Sequence, residues 1–294
     1  MSAEIVLHLG AHRTGSTTLQ GILDANAEML AATGVRVLTP PRPGKRGVAT
    51  VRDVVRQVKR TSRLPVARLR RWANRRAGAA LRETLAGAKG RVVISDEMLL
   101  GRAYGRDGTA LYPDLAELLG GFREALDRPV GEVSITLRAY DGFLVSVYAM
   151  RAVYAGPQPE FEALRARLLA VERGWPVVLE EIAARFPEAR LQVSTVEETP
   201  LERRLGQLVG PAAAARLRYD ADARSNLAPS LPAITAARTR RLRHAEADAL
   251  IAAHAGGARF DPLTDAERDR LRARYAADLA TLRTHPRWRL DDAD

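Results

Sequence analysis

The residues best placed to do chemistry lie in one stretch near the start, EIVLHLGAHRTGSTTLQ, residues 4–20. An apolar run leads to Gly10, four residues separate it from Gly15, and Ser16-Thr17 open a helical pattern. Glycines in such a loop let the backbone turn and come close to a ligand. A helix start behind them presents unpaired N–H groups and the positive end of the helix dipole, which together hold an anion. A Walker A loop, G-x-x-x-x-G-K-[ST], would carry lysine where this chain has Ser16; the positive charge sits inside the loop instead, at Arg13. Without the lysine that reaches the β- and γ-phosphates, hydrolysis of ATP or GTP is disfavoured. The loop reads as a phosphate cradle put to another use.

Two further groups fall at the ends of apolar runs. Asp96-Glu97 follow RVVIS at 91–95, and Arg138 follows VSITL at 133–137. A carboxylate in that position suits a general base, and a guanidinium suits a bidentate grip on phosphate. His12, in the loop, is a candidate ligand contact. His8 lies within the first apolar run and reads as a satisfied core histidine.

The elements that must position these groups follow from periodicity. Strands are expected at 5–9, 35–38, 91–95, 133–137 and 191–195, each a short apolar run. Helical spacing covers 16–33, 52–88 with a break near Pro65, 115–126, 141–153, 161–171, 175–186, 201–209, 231–253 and 265–284. Thr264-x-x-Glu267 matches a capping box for the last of these. Strands alternating with helices imply an α/β fold in three layers, with a mostly parallel sheet of the P-loop NTPase type and a helical C-terminal annex. A single domain over 1–294 is expected: an α/β core over 1–200 with a basic helical insertion at about 50–88, and the annex over 201–294. Ligands of such sheets bind beyond the C-terminal strand ends, where the loop, Asp96-Glu97 and Arg138 would converge.

The loop resembles that of sulfotransferases using 3′-phosphoadenosine 5′-phosphosulfate (PAPS), in particular the bacterial branch with an N-terminal H-x-G-x-H-[KR]-T-G-[ST]-[ST] stretch. The resemblance implies that Arg13, with His12 beside it, and Thr14, Gly15, Ser16 and Thr17 cradle the 5′-phosphate and sulfuryl oxygens. It also implies that Arg138 and Ser146, eight residues apart, hold the 3′-phosphate; the family's usual R-[DN]-P is here Arg138-Ala139-Tyr140. VVISDE at 92–97, FPEARLQV and ARSNLAPSL at 223–231 are weaker echoes, and they offer Arg224 and Asn226 as further nucleotide contacts. On this reading Arg13 steadies the leaving group, Glu97 is the acceptor's base with Asp96 next in line, the co-product is the 3′,5′-bisphosphate PAP, and no metal is required. The acceptor would be a hydroxyl or amine of a glycan or another small molecule. Two alternatives stand beside it: a nucleotide kinase or NTPase with a degenerate loop, for which VVISDE resembles a Walker B strand, and a binder of polyanions.

Composition sets outer bounds. The 294 residues are 46% hydrophobic and 28% charged, ordinary for a soluble globular protein, and no apolar run reaches the roughly 18 residues of a membrane span. Cysteine is absent, which excludes disulfides and thiolate metal sites and leans towards a reducing, cytoplasmic setting. Of the net charge of +11, residues 52–76 supply +9, from ten basic residues and Asp53. Such a stripe suits an anionic acceptor. It suits nucleic acid less well, because Trp72 is its one aromatic.

Overall fold

The computed structural model describes residues 3–40, 51–105, 110–220 and 228–291. Its centre is a six-stranded sheet made of β1 (Glu4–His8), β2 (Val35–Leu38), β3 (Arg91–Ser95), β4 (Glu132–Leu137), β5 (Arg190–Thr195) and β6 (Trp288–Leu290). The order across the sheet is β2-β3-β1-β4-β5-β6, and every pairing is parallel. The first strand thus lies in the interior, where an apolar run with no polar face belongs.

Alternation along β1 sends Ile5 and Leu7 to one face and Val6 to the other. On the Val6 side pack α1 (Ser16–Ala25), α2 (Ala27–Ala32) and α10 (Leu201–Val209), through Leu19, Leu23, Leu30 and Leu205. On the Leu7 side lie α3 (Val51–Thr61), α6 (Leu115–Leu126), α7 (Tyr140–Tyr154), α9 (Trp175–Arg185) and α14 (Asp265–Arg283). The chain leaves β1 leftwards to β2 across one face, and leaves β2, β3 and β4 rightwards across the other; after β5 it first lays α10 on the Val6 side before α14 leads to β6. Both directions give right-handed crossovers. The connections therefore part between the C-terminal ends of β1 and β4, which opens a crevice there.

Some elements differ from what periodicity implies. The helix expected over 16–33 divides at Asn26, whose side-chain amide donates to the carbonyls of Ile22 (2.9 Å) and Arg218 (3.0 Å) while its oxygen accepts from the Arg218 N–H. A short amide side chain competes with the helix ladder in this way. The basic stretch forms α3, α4 (Ala67–Ala77) and α5 (Ala79–Leu85), with a break at 62–66 around Pro65. The pattern over 231–253 is two helices, α12 (Leu231–Ala237) and α13 (His244–Ala253); Glu246 restarts the second by accepting from the Arg243 N–H at 2.8 Å. The C-terminal stretch is not wholly helical, because β6 joins the sheet beside β5. None of the helices among the described residues is long and apolar enough to cross a membrane.

The capping box on α14 is present: Glu267 N–H donates to Thr264 Oγ1 at 3.3 Å, and Thr264 N–H donates to the Glu267 carboxylate at 2.8 Å. Thr264→Ala is expected to cost about 1 kcal/mol of stability, read by urea unfolding, because α14 buries Leu271, Tyr275 and Leu279 against the core. An unchanged midpoint would mean that the cap adds nothing to the packed helix.

Candidate functional site

The loop between β1 and α1 turns on two left-handed residues near its ends. A Cβ on Gly10 (φ +47°) would lie 2.4 Å from Ser16 Oγ and 2.9 Å from His8 Cε1, so only glycine fits. Gly15 (φ +87°) caps α1, which has no side-chain cap and no acidic residue in its first turn. Between them Arg13 itself adopts φ 65°, unusual for a residue with a side chain. Thr14 and Ser16 turn inwards and donate to the Ala11 carbonyl, at 2.6 and 3.5 Å. Their hydroxyls shape the loop, while Gly15 and Thr17 are exposed at its mouth.

Three half-buried guanidinium groups close on this loop. Arg13 Nε donates to Ser146 Oγ (2.8 Å), Arg138 donates to the Arg13 carbonyl (2.8 Å), and Arg204 donates to the Thr14 carbonyl (2.9 Å). Burial lowers the pKa of all three, yet arginine stays protonated at any pH a protein tolerates. Each is anchored by a neutral oxygen, and none forms an ion pair with a carboxylate among the described residues. The loop and the strand-end motif, separate in sequence, interlock through Arg13, Arg138 and Ser146.

Arg138 owes its place to the residues after it. Tyr140 stacks on Trp175 with ring centroids 6.1 Å apart, accepts from the Trp175 N–H at 2.8 Å and donates to Asp278. Trp175 Nε1 in turn donates to the Arg138 carbonyl at 3.0 Å. The Ala139-Tyr140 pair thus does for this chain what a stiffer dipeptide would do elsewhere: it fixes where the strand stops and α7 starts.

Across the loop, a chain of hydrogen bonds joins β1, β3 and α1. His8 Nδ1 meets Ser95 Oγ at 2.8 Å, and Gln20 Nε2 donates to Ser95 Oγ (3.2 Å) and Glu97 (3.1 Å). Arg52, on α3, lies 3.4 Å from Glu97 and 3.6 Å from Asp96. Asp96 is fully buried and caps a single 3₁₀ turn at Glu97–Leu100 by accepting from the Met98 N–H at 2.9 Å. Burial and the neighbouring Glu97 push its carboxyl up to about 6. His8 and His12 are held down to about 4, chiefly by burial. The His12 N–H donates to Tyr112 Oη at 2.9 Å, with the imidazole Nδ1 3.3 Å from the same hydroxyl.

Two cavities flank the Arg13–Ser146 contact. One, of about 290 Å³, is lined by His12, Arg13, Lys59, Met98 and Val147 among others. The second, of about 620 Å³, has Arg138, Ser146, Glu197, Arg259, Phe260 and Tyr275 in its wall. The expected residues His12 and Arg13 thus face one side, and Arg138 and Ser146 the other. Glu97 lines neither cavity, although it lies near enough to raise the pKa of both histidines. Arg224 and Asn226 lie outside the described residues. Arg204, Arg259 and Tyr112 have no sequence signal of their own; only packing brings them here.

The basic stripe is partly neutralised. Arg71 lies 3.6 Å from Glu124, Arg75 pairs with Asp127 and Arg56 with Asp53, in addition to the Arg52 contacts. It does not present one continuous cationic strip.

No protein-family model matches the chain, and no curated protein matches it in sequence. Among solved structures it is similar to a thymidylate kinase from Candida albicans, over 74% of this chain and 96% of that one, at 12% identity and a TM-score of 0.35. Function has to be read from the site.

The histidines fix the sign of a pH effect. Between about pH 6.5 and 4 the unfolded chain binds protons on His8 and His12 that the folded state refuses, so stability falls on acidification. Asp96 works the other way between about pH 4 and 6, because its folded form keeps a proton the unfolded form has lost. With two groups against one, the melting temperature is expected to drop from pH 6.5 to 4.5, and to drop less in His8→Gln. Equal slopes in the two proteins would show that His8 takes up its proton freely in the folded state.

Proposed function

We propose that the protein is a PAPS-dependent sulfotransferase. The observation that carries the reading is the set of three arginines, Arg13, Arg138 and Arg204, anchored by neutral oxygens around an uncapped helix start, with Ser16 where an NTP-hydrolysing loop has lysine. Such a site is built for a ligand that brings several negative charges at once. PAPS brings a 3′-phosphate and a 5′-phosphosulfate.

On this proposal the donor lies in the larger cavity. Arg138, Ser146 and Arg259, in the wall of that cavity, take its 3′-phosphate; the 5′-phosphate reaches past the cavity to the loop N–H groups at Gly15–Thr17, of which Gly15 and Thr17 are exposed. The acceptor enters from the smaller cavity. Its oxygen forms a bond to sulfur as the bond from sulfur to the bridging phosphate oxygen breaks. The electron pair stays on the 5′-phosphate of departing PAP, where Arg13 and the end of α1 offset the charge. The acceptor's proton passes to Glu97, which lines neither cavity, by way of one water. His12, whose pKa burial lowers to about 4, is neutral at neutral pH and orients the acceptor by hydrogen bonding. Gln20 and Arg52 each take up part of the Glu97 carboxylate, which has lone pairs to spare.

A nucleotide kinase would look to Asp96 as its metal-holding acid. Asp96 is turned into the protein, where it caps the 3₁₀ turn and faces Arg52. That placement favours sulfotransfer.

The 3′-phosphate provides the test. kcat/KM for PAPS is expected to exceed that for adenosine 5′-phosphosulfate by about 10²-fold or more, since a site built for a charged group penalises a donor without it. The preference should collapse in Arg138→Ala through loss of the better donor. Equal use of both donors by the unaltered protein, or a larger thermal shift with ATP and Mg²⁺ than with PAP, would overturn the proposal. Within it, Arg13→Ala should lower turnover by about 10². Glu97→Gln should lower kcat with PAP affinity intact; if His12→Gln does so and Glu97→Gln does not, the base is His12.

A further inference from the structure

We propose that the smaller cavity binds an amphiphilic anion, a compound with an alkyl or aryl body and an acidic group, and that this compound is the sulfate acceptor. The word acceptor rests on the sulfotransferase reading; the ligand class rests on the cavity alone. At about 290 Å³ the cavity is near the lower end of small-molecule sites, which run from roughly 300 Å³ upwards. Met98, Ala103, Val147 and Met150 give it apolar walls, and among the described residues no acid lines it. Sugar rings, with hydroxyls all round, would leave hydrogen bonds unmade against such walls. A flat or extended hydrocarbon would not.

The charge in the cavity is one-sided and largely unspent. Arg102 is already occupied, its Nε 2.8 Å from Asp114. The Lys59 side chain, on α3, is half-buried and makes no hydrogen bond or ion pair among the described residues, although its charge, after that of Arg102, helps to lower the pKa of Asp114 at longer range. Arg151 donates to the Tyr104 carbonyl at 3.1 Å and lies over the Tyr104 ring, 4.5 Å from its centroid. Its Nε is buried with no hydrogen-bond partner among the described residues. A buried donor left without a partner carries a standing cost that a suitable ligand removes. Lys59 and Arg151 are therefore the groups that take the acid, and Arg13 at the inner end stays with the donor. The acidic group of the acceptor is thus held apart from the hydroxyl that points to the loop.

Two dyes with one aromatic skeleton test this in the full-length chain: 8-anilinonaphthalene-1-sulfonate, an anion, and N-phenyl-1-naphthylamine, which is neutral. Fluorescence titration should show the anion binding about tenfold more tightly, the scale of one charge-assisted hydrogen bond. Lys59→Met should remove about that factor for the anion and leave the neutral dye unchanged. Val147→Trp, which fills the cavity, should weaken both. Arg68→Met, on exposed α4, should do neither and serves as the control for surface charge. Equal affinities in the unaltered protein, or a Lys59→Met effect no larger than that of Arg68→Met, would overturn the proposal. If the dyes discriminate while PAPS and PAP fail to bind, the ligand class stands and the sulfotransferase reading falls; if PAP binds and the dyes do not discriminate, the reverse holds.

Discussion

Buried positive charge without an ion-pair partner, at the mouth of one loop, is the constraint on which the site depends. Arg13 feels the charge of Arg138, burial takes away part of the water that would screen all three arginines, and Glu197 offsets part of this at Arg138 and Arg204. Each guanidinium has a neutral oxygen to bond and a rigid element behind it. The loop between β1 and α1 carries Arg13, the stacked Tyr140–Trp175 pair fixes Arg138, and α10 delivers Arg204 from the opposite face of the sheet.

Sheet topology decides where this can happen. Between β1 and β4 the connections part, to β2 on one side and to β5 on the other, and a crevice opens at the rim of the sheet there. The loop fills the bottom of that crevice, and the Arg13–Ser146 hydrogen bond divides what remains into two cavities. The larger side mixes arginines (Arg138, Arg259, Arg268, Arg272) with acids (Asp141, Glu197, Glu198, Asp261), whereas the smaller side combines cations with apolar walls.

Much of this was legible in the sequence, for identifiable reasons. Buried parallel strands are written as short apolar runs, so five of the six were visible; β6 has three residues, too few to show a pattern. The loop was visible because glycines with positive φ leave a mark at Gly10 and Gly15. Arg138 was visible because it ends a strand, whereas Arg204 and Arg259 belong to a helix and a loop whose arrival at the site is a tertiary event. The break at Asn26 was hidden because its cause, Arg218, lies 192 residues away. Asp96 and Glu97 looked equivalent as neighbours, and only their surroundings tell them apart: one is buried under Arg52 as a turn cap, the other reaches Gln20 beside the loop.

The basic stripe shows how far charge alone misleads. Counted along the chain it is the most cationic segment, and helical spacing puts Arg68, Arg71 and Arg75 on one face. In the fold, Arg71 and Arg75 turn to Glu124 and Asp127 at α6, and Arg52 turns to the acids after β3. These arginines hold a helical pair, α3 and α4, onto the core by contacts that exposed ions make weakly and partly buried ones more firmly. Lys59 belongs to the same helix as Arg52 but lines a cavity in whose wall no acid stands among the described residues. The functional share of the stripe is therefore carried by its least conspicuous member. A charge is read as structural or functional by what stands opposite it, not by how many like charges surround it.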